Sequence, residues 1–120
     1  MDTSSAPPSL NINWLEGVMV VDFVDPHIVD PKSIRAVSER LSELLDLSTE
    51  FVLDFGNVRQ FGSAMIGELI GFLKKVQLRG GRMALCSINP QVHGVFKLFR
   101  LDSLFSIYPD VRSAFDAVSA

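Results

Sequence analysis

Reactive and metal-ligating side chains are scarce in this chain of 120 residues, which has one cysteine, Cys86, and two histidines, His27 and His93. A single cysteine makes no internal disulfide, and neither histidine stands four residues from another ligand type, so zinc spacings and histidine-dependent catalytic arrangements are missing. The 8 glycines fall in no G-x-x-x-x-G-K or G-x-G-x-x-G pattern, which removes the usual phosphate-cradling loops. Long apolar runs are missing too. Val18-Met19-Val20-Val21 is among the longest and is far below the roughly 20 residues of a membrane span. Nor is there a basic excess: Lys+Arg 11 against Asp+Glu 14 leaves −3, which argues against a partner made of nucleic acid or anionic lipid. No repeat of solenoid length is visible. These absences point away from an enzyme, a cofactor, a metal site and membrane insertion, and a lone thiol fits a reducing, cytoplasmic setting.

What is present suffices for one ordinary domain. Hydrophobic residues are 48% and charged ones 21%, enough to bury a core without covalent staples. The first ten residues hold Asp2 where a signal peptide is basic, then Pro7-Pro8, and read as a disordered leader over 1–10 before a domain over 11–120.

Along that domain, strand and helix patterns alternate. Asn11 to Glu16 and Val18 to Val24, parted by Gly17, read as a hairpin. Asp30-Pro31 supplies an N-cap and a first helical residue, and Ile34, Val37, Leu41, Leu44 and Leu45 recur at helical spacing. Phe51 to Phe55 is apolar throughout, as in a strand covered on both faces. Ser63 to about Leu78 carries a second amphipathic helix, closed by Gly80-Gly81. Met83 to Ile88 is a strand and Asn89-Pro90 restarts a helix with Val92, Val95, Phe96 and Phe99 on one side. Leu104 to Ile107 allows a brief strand, and Val111, Ala114, Phe115 and Val118 mark a terminal helix. The expected fold is α/β: one domain, a mixed sheet of four to five strands with an antiparallel start, and helices mainly on one face.

Asp22, Asp25 and Asp30 read as loop acids with one N-cap rather than a cation site. Cys86, in an apolar strand with no base beside it, reads as a small hydrophobe. The informative stretch is Asp54 to Gly67, where a buried strand passes through a short loop into a helix beginning at Gly62-Ser63. As an N-cap, the Ser63 hydroxyl is worth about 1 kcal/mol. Capping does not account for its flanks: Gly62, Ala64 and Gly67 keep the surface low, and Phe61 and Met65 are apolar residues expected to be partly exposed beside it, as on a docking face.

Phe51-Val52-Leu53-Asp54-Phe55-Gly56-Asn57-Val58, Phe61-Gly62-Ser63-Ala64-Met65-Ile66-Gly67 and Leu78-Arg79-Gly80-Gly81-Arg82-Met83-Ala84-Leu85 together resemble the STAS domain. This is the family of SpoIIAA-like anti-sigma factor antagonists and their stressosome and transporter relatives. Val95 to Phe105 is similar to the family's helix and following turn, so the resemblance spans nearly everything after the leader. It implies a regulatory phosphoserine at Ser63 and a partner-binding surface of Asp25, Pro26, His27, Phe61, Gly62, Ala64, Met65 and Gly67. The implied partner is an anti-sigma factor acting as serine kinase, with a serine phosphatase possible in the same pathway. The other role the resemblance implies is a non-phosphorylated subunit of a stressosome-like scaffold or of a lipid-transport ABC complex. Gly62 replaces the usual Asp, Ala64 a second Ser or Thr, and Met65 a Gly, which leaves one phosphoacceptor where the family often has two.

Overall fold

A computed structural model describes residues 10–119; the expected leader lies outside them except for Leu10, which already belongs to the first strand. Strands β1 (Leu10–Leu15) and β2 (Val18–Phe23) form the expected hairpin. Its connection is Glu16-Gly17, with φ of 49° and 87°, the two positive angles of the turn that matches strand twist. After β2 come β3 (His27–Ile28), α1 (Pro31–Leu44), β4 (Glu50–Asp54), β5 (Gln60–Phe61) and α2 (Ser63–Leu78). The chain closes with β6 (Arg82–Cys86), α3 (Pro90–Leu98), a 3-10 turn at Leu101–Ser103, β7 (Ser106–Tyr108) and α4 (Val111–Ser119).

The main sheet has order β1-β2-β4-β6-β7, antiparallel only at its first pair. The α/β class, the antiparallel start and the central place of the Phe51 strand are thus as the sequence pattern predicts. Period-2 alternation splits its side chains between two layers. Met19, Val21, Phe23, Phe51, Leu53 and Leu85 face α1, α2 and α3, while Val18, Val20, Val52, Ala84 and Cys86 face Ala114 and Val118 of α4. Three helices cover one face and α4 alone covers the other, so β4 is buried on both sides.

Local chemistry fixes the helix starts. Asp30 and Asn89 accept from the amides of Ser33 (3.1 Å) and Val92 (2.9 Å), each with proline at the first helical position. Asp110 accepts from Ser113 N at 2.8 Å before α4. Hydrogen bonds from the Ser33 hydroxyl and amide hold the Asp30 carboxyl below its ordinary value, and those from the Ser113 amide and hydroxyl do the same for Asp110. At the other end of α2, a Cβ on Gly81 falls 1.9 Å from the carbonyl oxygen of Thr49, so only glycine lets this loop cross the start of β4.

Two expectations need correction. Phe99, placed with the buried side of α3, ends that helix 56% exposed. The loops on either side of α1 and β4 are also not plain loops, because β3 and β5 pair in parallel as a separate two-stranded sheet. Strands of two residues are too short to show periodicity.

Candidate functional site

The four parallel strands all run toward the end of the molecule where α1, α2 and α3 begin, and Ser63 lies on this pole. Ser63 is the first residue of α2 and is exposed. The cap is Gly62, extended at φ −70° and ψ 148°, with no side-chain capping bond. The sequence expectation that the serine hydroxyl caps the helix is therefore corrected by one position. As the first helical residue, Ser63 stands at the positive end of the helix dipole, where the earliest amides lack an i−4 acceptor.

The β3–β5 pairing brings the segment before α1 against the start of α2. His27 is in register with Gln60, and Ile28 with Phe61. The carbonyl of Pro26 accepts from Arg59 N (2.8 Å) and Gln60 N (3.0 Å), and that of Ile28 from Gly62 N (2.9 Å). The His27 ring Nδ1 and Gln60 Oε1 are 2.9 Å apart, and Asp25 accepts from His27 N at 2.9 Å. Asp25, Pro26 and His27 thus share one ribbon with Phe61 and Gly62. A Cβ on Gly62 would lie 3.3 Å from Val29 Cα and 3.4 Å from its carbonyl oxygen. Any side chain here, an Asp included, requires the Val29 backbone just past β3 to give way by a few tenths of an ångström.

The remaining residues divide. Ala64 and Gly67 are exposed, with open space around a Cβ on Gly67. Phe61 is half-buried, its ring edge-on to Phe55 at 5.4 Å and stacked on Phe96 at 6.2 Å, so it anchors the start of α2 to the core. Met65 is 0% exposed and contributes nothing to the surface, against its expected partial exposure. Two residues past Ser63, the helix has turned it inward among the core side chains.

Beside Ala64 runs a groove of about 310 Å³ between the first turns of α1 and α2, lined by Val29, Ile34, Arg35, Ser38 and Glu68 among others. Ser38 donates to Glu68 at 2.5 Å across it. Sequence reasoning missed Val29, Arg35, Ser38 and Glu68 because they are ordinary surface residues on separate helices. The one available signal was Glu68, four residues after Ala64 and therefore on its face.

At the tips of β2 and β4, Asp22 and Asp54 sit side by side in register. Burial, and then the Asp54 charge, raise the Asp22 pKa above the ordinary aspartate value, although a hydrogen bond from Asn11 opposes this. Burial pushes the Cys86 thiol to about 11, which leaves it protonated and a poor nucleophile at neutral pH. Among the described residues no group of three His, Cys, Asp or Glu side chains is placed to hold a metal, and no helix is long and apolar enough to cross a membrane. The chemistry on this pole is one exposed hydroxyl, a hydrogen-bonded ribbon and a shallow groove.

The STAS domain profile matches residues 9–114. An anti-sigma F factor antagonist from Paenibacillus polymyxa is 36% identical over 99 residues, 78% of this chain and 77% of that protein. A Thermotoga maritima protein assigned as an anti-sigma factor antagonist has a similar crystal structure: TM-score 0.83, 20% identity, 92% of this chain and 95% of that one. The phosphorylated form of the Bacillus cell fate determinant SpoIIAA is similar with TM-score 0.69 and 16% identity, over 92% of this chain and 99% of that one.

Proposed function

This chain belongs to the STAS family, and we propose that it is an anti-sigma factor antagonist whose docking on a kinase-type anti-sigma factor is switched by phosphorylation of Ser63. The observation that carries this reading is the exposed Ser63 hydroxyl at the first position of α2, beside the β3–β5 ribbon and the α1–α2 groove. Ser63 has the family's phosphoserine position, and the names of the relatives supply the partner class.

The switch is electrostatic. Phosphate adds about −1.5 to −2 charges at neutral pH. At the N-terminus of a 16-residue helix that charge is favourably placed for its own domain, so modification unfolds nothing. A partner seated over Ala64, Gly67 and the groove must instead desolvate a dianion where there was a neutral hydroxyl. Unmodified protein binds; phosphorylated protein is released.

Intact-mass and phosphosite analysis of protein from its native cells, with and without stress, tests this reading together with capture of the bound partner. The expected result is Ser63 phosphate at a changing stoichiometry, and a soluble anti-sigma partner lost in Ser63→Asp. Full coverage of the peptide without phosphate under every condition, with a large assembly or a transporter ATPase captured, replaces it with a constitutive docking subunit. Gly62 favours that second reading, since the acid usual before the serine is missing and has little room.

A further inference from the structure

We propose that the pole opposite Ser63 is a self-association surface, on which a second copy of this chain docks about a two-fold axis along the sheet normal. The inference does not rest on phosphorylation of Ser63.

The topology gathers the starts of β2, β4, β6 and β7, the β1–β2 turn and the ends of α1, α2 and α3 at this far pole. Eight large hydrophobic side chains are exposed among the described residues, and only Val29 belongs to the Ser63 pole. Trp14 and Leu15 stand at the β1 edge of the far pole, and Leu98, Phe99 and Leu104 at its β7 edge. Leu47 and Leu78 lie between, in the loop leading to β4 and at the end of α2. Leu78 is 87% exposed and Leu98 77%. Scattered single apolar residues need no explanation, but such a concentration at one end of a small domain marks an interface.

The charges on the same rim select the occupant. From Leu69 to Leu101 there are six basic residues and no acidic one; Arg79, Arg82, Lys97 and Arg100 bring that excess to the β6–β7 half of the pole. Glu16, Asp46 and Glu50 give the β1–β4 half the opposite sign, Glu43 being paired with Arg40 at 3.0 Å. In the middle the signs meet: Arg79 is 3.7 Å from Asp46, and Glu50 is in register with Arg82. At the edges, Glu16 stands at one side, and Lys97 and Arg100, with only Asp102 beside them, stand at the other.

A surface with acid on one half and base on the other is complementary to itself. Rotation about the sheet normal lays Glu16, Trp14 and Leu15 of one copy on Lys97, Arg100, Leu98 and Phe99 of the second. Rotation about an axis in the sheet plane, across the strands, lays acid on acid. The helix C-termini brought face to face repel weakly, and Lys75 and Lys97 in the last turns of α2 and α3 offset that. An anionic bilayer fits less well, because Glu16, Asp46, Glu50 and Asp102 share the rim and face the same lipid charge. The paired arrangement leaves both Ser63 poles free at its two ends, two docking sites on one particle.

Sedimentation equilibrium of the full chain between about 10 µM and 1 mM tests the proposal. The expected mass rises toward twice that of one chain. Leu98→Asp, on an exposed position, should weaken association by roughly tenfold or more with the far-UV circular dichroism of the folded chain unchanged. Glu16→Arg should weaken it and Glu16→Arg with Arg100→Glu should restore it, which fixes the axis. A monomer at every concentration overturns the proposal, as does a dimer indifferent to Leu98→Asp. Leu98-dependent sedimentation of a monomer with phosphatidylglycerol vesicles also overturns it, in favour of the bilayer.

Discussion

The two poles of this domain are built from the same elements and differ in chemistry. At the Ser63 pole helices begin, so the chain supplies Asp30, Asn89 and Asp110 as caps and pairs β3 with β5, and the surface is polar and low. At the far pole helices end, and leucines and aromatics are left standing in solvent. A parallel α/β sheet sorts helix N-termini to one end and C-termini to the other whatever their sequence. The caps and the serine therefore collect on one pole. The apolar residues on the other are not required by the topology.

The largest effect expected on this contrast comes from beneath the Ser63 pole. Phe55 touches the rings of Phe23 (4.8 Å), Phe61 (5.4 Å) and Phe96 (6.4 Å), and Phe55→Ala should cost about 3–5 kcal/mol in denaturant unfolding. Amide exchange should show faster opening at β5 and the start of α2 than at the far pole. Gly81→Ala strikes the far pole by forcing its loop off Thr49, and should cost about 1–3 kcal/mol. Asn89 caps α3 and also donates to Val58 O at 2.7 Å; Asn89→Ala should cost about 1–2 kcal/mol in the same melts.

Ser63→Ala should change stability by less than about 0.5 kcal/mol, as for an exposed position without a capping bond, while abolishing modification and leaving partner binding constitutive. A loss equal to that of Asn89→Ala would show the hydroxyl to be a structural cap after all. The smallest effect is a sign. Because the Asp22 pKa is raised in the folded state, the ionised carboxylate opposes folding, and native stabilisation of its protonated form is lost as pH rises through that pKa. Asp22→Asn should therefore raise Tm at pH 7, with the gain shrinking as pH falls through the raised pKa and gone below the ordinary aspartate value.

Much of the fold was legible because its signals are local. Apolar spacing in Ile34, Val37 and Leu41, the Asp30-Pro31 and Asn89-Pro90 starts and the continuous run from Phe51 each bear on residues a few positions apart. Ser63 as the first surface residue of α2 was legible for the same reason, with the cap misplaced by one because boundaries depend on backbone angles. The inward turn of Met65 was the harder matter, since the surface or core fate of a helix start depends on which way the whole helix docks.

The sequence by itself determined the longer elements, their order and the family, through periodicity, capping and motifs that each span less than one element, while the two-residue strands β3 and β5 escaped it. Only the tertiary structure decided that His27 meets Gln60 across 33 positions and that Gly62 lies against the Val29 backbone. It alone decided that exposed residues from Trp14 to Leu104 share one end. Such placements are set by strand direction and crossover packing, which act between segments far apart in the chain and leave no local pattern.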